Sequence, residues 1–153
     1  MKNIYPFGAS LILFAALSFA FSLAVAQSPV PPASYFKAED IQQALQRSAA
    51  ERPGMAVGNI QNGDDFRINL IRRTEAAGAI VHEVGTELHY ITEGAGILVT
   101  GGVINRPADG GRATIIGGHS QRVTVGDAVL VPVGTPHWYT SVETSITYLE
   151  VRF

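Results

Sequence analysis

The chain has 153 residues, of which 46% are hydrophobic and 16% charged, and its net charge at pH 7 is −2. This length suits one domain with a substantial core and leaves little room for a second. The weak negative charge gives no reason to expect nucleic acid as a partner. The absence of cysteine excludes disulfides and thiolate ligands.

Residues 1–26 are predicted to be a secretory signal peptide. Lys2 is followed by an apolar stretch over residues 11–25, and small residues precede a cleavage point after Ala26. We therefore expect a secreted or periplasmic protein without a stable membrane anchor after cleavage. The alternative is an uncleaved anchor, because the apolar stretch is just long enough to span a bilayer.

Residues 27–54 are predicted to form an N-terminal arm and one short helix. Three prolines among small residues in the segment 27–34 favour an extended arm. Over residues 38–49, apolar side chains recur at helical spacing, and acidic residues lie in the first turn. The helix is expected to stop by Pro53 and Gly54.

Residues 55–153 carry short β-rich segments separated by turn residues, a pattern typical of an antiparallel sandwich or barrel. The predicted class is therefore all-β, and the low helix content excludes a doubly wound α/β fold. The predicted strands are 55–60, 66–74, 79–84, 87–93, 96–100, 113–116, 122–125, 128–132, 137–141 and 146–152. Segment 105–111 is predicted to be an exposed loop.

Strand alternation places two candidate ligands on one face. Side chains alternate across a strand, so Glu87, His89 and Ile91 share one face. Burial of a carboxylate and an imidazole is expensive unless they have a partner, and a metal ion or a wet cavity provides one. If residues 83–86 form a hairpin turn, His82 lies opposite Glu87, and the same register places residue 80 opposite His89.

A second cluster lies about fifty residues further along the chain. Gly126, Pro132, Gly134 and His137 indicate a strand followed by a rigid turn that holds one histidine in a fixed place. This spacing resembles the second motif of the cupins, G-x5-P-x-G-x2-H. The asparagine that commonly follows in that motif is replaced by Ser141.

The first cupin motif, H-x-H-x3,4-E-x6-G, is matched at His82, Glu87 and Gly94, but its first histidine falls on Ile80. The resemblance extends from near residue 67 to the end of the chain. It implies a double-stranded β-helix, the cupin jelly-roll barrel, over residues 55–153. It also implies one divalent metal ion, which is iron, manganese, zinc, nickel or copper in this family. The ligands carried over are His82, Glu87 and His137.

His89 has no counterpart in these motifs. One hypothesis is that it replaces the missing histidine as a fourth metal ligand. The alternatives are an acid or base beside the metal, or a pocket histidine hydrogen-bonded to Tyr139. Glu87 and His89 are the candidate catalytic groups, while Tyr139, Ile80 and Ile91 are the candidate residues of a substrate pocket.

The favoured hypothesis is a metal-dependent enzyme with oxygenase-, isomerase- or lyase-type chemistry on a small organic molecule. The alternative is a non-catalytic cupin module that binds a small molecule or metal, and a third is a metal-free isomerase or epimerase. Whichever of Arg72 and Arg73 faces inward is a candidate for binding an anionic substrate, although paired arginines on an edge strand are usually solvated. His119 is predicted to lie on the surface. An apolar outer wall needs covering, and either the N-terminal arm and helix or a second subunit could cover it. Because cupins often pair in this way, the resemblance implies a homodimer.

Overall fold

The computed structural model describes residues 29–153. The predicted signal peptide and its cleavage point after Ala26 lie outside these residues. Residues 29–33 are exposed and belong to no helix or strand, and all the assigned elements lie in the compact unit Ser34–Phe153. Within the described part of the chain, no helix is both long and apolar enough to cross a membrane.

The predicted helix is confirmed as α1, Ala38–Glu51. Its one buried residue is Leu45, which packs against Ala56 and Leu70 of the first two strands. The contact is close because Gly58 has no side chain: a Cβ atom at that position would lie 2.9 Å from the Leu45 backbone nitrogen. The helix therefore covers one outer face of the sheet.

The all-β class with one short helix is confirmed, and every strand pair is antiparallel. The strands are β1 Met55–Asn62, β2 Arg67–Arg73, β3 Glu87–Thr100, β4 Val103–Asn105, β5 Thr114–Ile116, β6 His119–Thr124, β7 Ala128–Val131 and β8 His137–Arg152. The main sheet has the order β1-β2-β8-β3-β6, and β7 also pairs with β3. Strands β4 and β5 form a separate pair.

Two long strands replace four of the predicted short ones. Strand β3 spans the predicted segments 87–93 and 96–100, and β8 spans 137–141 and 146–152. The register between β3 and β8 shifts near Gly94, whose φ is 70°. A Cβ atom there would clash with the carbonyl oxygen of Ser145, so the glycine permits a bulge that bends the strand without ending it.

The predicted strand over residues 79–84 is wrong. In this segment only Ile80 pairs, in an isolated bridge with His137. The predicted register of Ile80 opposite His89 is also wrong, because His89 pairs with Val129 of β7 and Glu150 of β8. With both edges of β3 occupied, the segment before it has no free edge to join. Strand β4 was not predicted.

The main core fills the barrel between these strands. It consists of the buried side chains Ile71, Ile91, Leu98, Val123, Tyr139, Ile146 and Tyr148. Two of its members, Ile71 and Tyr148, also line a cavity of about 390 Å³. The cavity therefore adjoins the packed core.

Candidate metal centre

Strand β3 supplies two buried polar residues to the barrel interior. Glu87 and His89 are each 1% exposed, whereas Tyr90, which lies between the inward-facing His89 and Ile91, is 45% exposed. This alternation is the one that the sequence predicts. The Nε2 atom of His89 lies 3.1 Å from Glu87 Oε2, so the two side chains form a buried pair.

His82 reaches the same carboxylate from the segment that precedes β3. Its Nε2 atom lies 3.1 Å from Glu87 Oε1. The backbone of this segment is held by Gly134, whose N–H donates to the His82 carbonyl oxygen over 2.9 Å. The pairing of His82 with Glu87 therefore forms without the predicted hairpin.

His137 is the first residue of β8 and follows the glycine- and proline-rich turn. Its backbone exchanges two hydrogen bonds with Ile80, of 2.9 and 3.0 Å. The turn is closed by a 3.0 Å bond from Thr135 N–H to the Pro132 carbonyl oxygen. This rigid support directs His137 Nε2 to within 3.3 Å of Glu87 Oε2.

Three histidine Nε2 atoms thus surround one carboxylate. The ligating atoms of His82, Glu87 and His137, the three residues expected from the motifs, lie within 4.8 Å of one another. A second group with this spacing joins Glu87 and His89 to Glu150. His89 therefore lies beside the three-residue group and not within it.

The protonation states suit a metal ion. Burial lowers the pKa of His137 to about 4 and also lowers the pKa of His82, so both imidazoles are neutral at pH 7. Burial alone would raise the pKa of Glu87. The hydrogen bond from His89 and the positive charge of Arg152 outweigh it, and the pKa of Glu87 falls to about 2. The centre holds one anion and neutral nitrogen donors, as a divalent cation requires.

The tautomer of His137 gives a direct test of fit. Its Nδ1 lies 3.1 Å from the Thr135 carbonyl oxygen, which can only accept, so Nδ1 carries the proton. A neutral His137 then presents its Nε2 lone pair to Glu87 Oε2. Two acceptors 3.3 Å apart repel each other unless a cation lies between them. Imidazole nitrogen and carboxylate oxygen suit zinc and the other first-row transition metals, so these residues fit the ion.

Arg152 is a site residue that sequence reasoning missed. Its Nη2 atom contacts Glu87 Oε1 and lies 2.9 Å from His82 Nε2. Its Nε atom is buried without a hydrogen-bond partner among the described residues. A guanidinium group therefore lies at one side of the centre, where it partly neutralises the carboxylate.

Glu150 was also missed. It accepts a 3.0 Å hydrogen bond from Asn69 and lies 3.9 Å from Arg152 Nη2. The signal available in the sequence was charged residues two apart in the last strand, at positions 150 and 152. Such a pair shares one face of a strand, and here that face lines the cavity.

Only one of the three predicted pocket residues lines the cavity. Ile80 lines the cavity, but Tyr139 and Ile91 lie in the core, where they are 1% and 0% exposed. Tyr139 stacks on Tyr148, a member of the same core, with 5.2 Å between ring centroids. Its hydroxyl lies 3.3 Å from His89 Nδ1, the contact named in one of the alternatives for His89.

Comparisons with known proteins show the fold. No protein-family profile and no curated protein sequence matches the chain. Among solved structures, KdgF from Halomonas sp. is 16% identical, with a TM-score of 0.52 over 66% of this chain and 81% of that one. A predicted oxalate decarboxylase from Thermotoga maritima is 16% identical, with a TM-score of 0.50 over 65% and 79% of the two chains. The chain has the cupin fold.

A third cupin structure, hydroxypropylphosphonic acid epoxidase from S. wedmorenis, is 12% identical, with a TM-score of 0.53 over 67% of this chain. This match spans about half of the epoxidase, 52% of its length. Identities this low establish the cupin barrel and leave the reaction open.

Proposed function

We propose that this cupin binds one divalent metal ion through His82, Glu87 and His137 and acts on a small organic molecule in the adjoining cavity. The observation that carries the proposal is the neutral His137, whose Nε2 lone pair faces the anionic Glu87 carboxylate. The ion would be iron, manganese, zinc, nickel or copper. When bound, it supplies Lewis acidity or redox chemistry, as oxygenase-, isomerase- or lyase-type reactions require.

The chain's own residues orient the ligands. Thr135 fixes the tautomer of His137 by accepting its Nδ1 proton, and this keeps Nε2 free for the ion. His89 donates at Nε2 to the Glu87 carboxylate, which can only accept, and a neutral ring then accepts at Nδ1 from the Tyr139 hydroxyl. We assign His89 the role of a group that holds a proton at Nε2 beside the ligands, within reach of the cavity that it lines.

Elemental analysis tests this proposal. Protein purified from its own export route should carry about one transition-metal ion per chain, because the site offers one set of ligands. His89→Ala should keep the ion while losing about 10- to 100-fold in affinity or activity, as expected for a residue that positions a ligand. His119→Ala is the control, since His119 is exposed.

Two results would contradict the proposal. If the protein contained no transition metal, both as purified and after incubation with each of the five candidate ions, the proposed metal-dependent function would be wrong. If His89→Ala alone lost the ion completely, His89 would be a metal ligand and not a positioning residue.

A non-catalytic binding module is the second candidate function. Two observations favour it: Ile80 stands where the motif has a histidine, and the Arg152 guanidinium lies beside the centre. This candidate predicts metal binding without consumption of oxygen or conversion of small organic acids. Oxygen uptake by the metal-loaded protein in the presence of candidate substrates would favour the enzyme.

A further inference from the structure

Arg73 is a buried cation on the wall of the cavity. It is 5% exposed and lies on the face of β2 that also carries Ile71 and Asn69, and all three residues line the cavity. Its neighbour Arg72 lies on the opposite face, where it pairs with Glu93 over 2.8 Å. Of the two adjacent arginines, Arg73 is therefore the one that faces inward.

The contacts of Arg73 are all with neutral groups. Its Nε donates to the Tyr148 hydroxyl over 3.0 Å, and its Nη1 lies 3.1 Å from Met55 Sδ. Its guanidinium carbon lies 5.3 Å from the centre of the Tyr139 ring. Among residues 29–153, arginine ion pairs form at positions 72, 122 and 152, and Arg73 has none. A buried charge without a counter-ion is costly to keep.

The cavity as a whole has an excess of positive charge. Three arginines line it, at positions 67, 73 and 152, and the acidic residues are Glu150 on the wall and the buried Glu87. Both carboxylates are engaged by Arg152. A divalent ion would increase the positive charge further, so the cavity favours an anionic occupant.

The anion that fits Arg73 carries one charge. A guanidinium presents a planar fork of N–H donors that matches a carboxylate. The other unpaired arginine, Arg67, begins the same strand, six residues away, which is about 20 Å along an extended chain. Arg73 therefore supplies one positive charge where its guanidinium lies, and one carboxylate neutralises it.

We propose that Arg73 binds the carboxylate group of a small organic acid whose remaining atoms extend toward the histidines. Tyr148 connects the two regions, since its hydroxyl accepts from Arg73 and its ring centroid lies 4.6 Å from that of His89. This inference rests on the proposed function for the orientation of the acid. The binding of the carboxylate does not depend on turnover.

Calorimetric titration tests the inference. The full-length protein is titrated with acetate, levulinate and benzoate and with the corresponding neutral amides, and the thermal unfolding midpoint is measured in parallel. At least one acid should bind and raise the midpoint, while its amide should not. Arg73→Gln should weaken that binding at least about tenfold, which is about 1.4 kcal/mol. Arg72→Gln is the matched control and should bind as the parent does.

Metal content is measured on the same samples. Arg73→Gln should keep its metal, which would show that the barrel is folded and the centre intact. Arg73→Lys retains the charge, so it should bind the acid more weakly than the parent and more tightly than Arg73→Gln. Equal binding by the parent and Arg73→Gln, or no binding of any of the three acids by the parent, would overturn the inference. Binding that depends on Arg73 in a protein that takes up no metal would refute the proposed function and leave this inference standing.

Discussion

The hydrogen bond between His137 Nδ1 and the Thr135 carbonyl oxygen determines what this imidazole can do. It turns Nε2 into an acceptor that faces the Glu87 carboxylate. The glycine and proline spacing predicts a rigid turn before His137. The spacing does not predict the tautomer, because that depends on which backbone carbonyl the folded turn places beside Nδ1.

If Glu87 binds a divalent ion, the Arg152 guanidinium is a like charge that competes with the ion for the carboxylate. We therefore predict that Arg152→Gln raises the affinity for the metal ion about tenfold or more, because the guanidinium contacts Glu87 Oε1 and lies 2.9 Å from His82 Nε2. Competition titration against a chromophoric chelator measures the affinity.

The matched control for this substitution is Arg122→Gln. Arg122 is exposed and pairs with Glu143 over 2.7 Å, and its removal should leave the affinity for metal unchanged. An affinity in Arg152→Gln that is equal to or weaker than that of the parent would show that the guanidinium does not compete with the ion.

The sequence predicts the site residues that are neighbours along one strand, but not those brought there by the pairing of distant strands. Glu87 and His89 were predicted to share a face because strand alternation is a local property. Arg152 and Glu150 meet Glu87 and His89 through the pairing of β8 with β3. No local sequence pattern predicts which strand β8 pairs with. Arg152 and Glu150 could therefore not be placed at the site before the fold was known.

At the level of elements, the predicted breaks in β3 and β8 are bulges. Gly94 and Thr144 both have positive φ, of 70° and 67°. A glycine in a β-rich segment indicates either a turn or a bulge, and only the pairing across the sheet distinguishes them. The same limit explains residues 79–84, whose β-rich composition does not distinguish a strand from a connecting segment with one isolated bridge.

Helix α1 packs closely on β1 at Gly58. Gly58→Ala should lower the free energy of unfolding by about 1–3 kcal/mol, because the new methyl group would lie 2.9 Å from the Leu45 backbone nitrogen. Chemical denaturation measures the change, and the metal content should not alter since the helix lies on the outside of the sheet.

Gly78→Ala is the comparison for this substitution. A Cβ atom there would meet its nearest neighbour, the Ala113 backbone nitrogen, at 3.5 Å, which is an ordinary contact. It should change the free energy of unfolding by less than about 0.5 kcal/mol. A similar loss in both variants would mean that the cost comes from the glycines themselves and not from the packing of α1.

For the whole molecule, the barrel brings the three candidate ligands together from separate parts of the chain. His82 precedes β3, Glu87 begins β3, and His137 begins β8. The motif spacing predicted this assembly and the fold that carries it. Export with cleavage after Ala26 and formation of a homodimer stay predictions.

Cobalt(II) titration of the metal-free protein, followed by visible absorption, tests for a metal centre at His82, Glu87 and His137. We expect ligand-field bands that saturate at one cobalt ion per chain, because three protein ligands converge on one point. The bands should persist in His119→Gln and disappear in Glu87→Gln and His137→Gln. Bands that survive unchanged in both of the last two variants, or no bands in the parent, would contradict a metal centre at these residues.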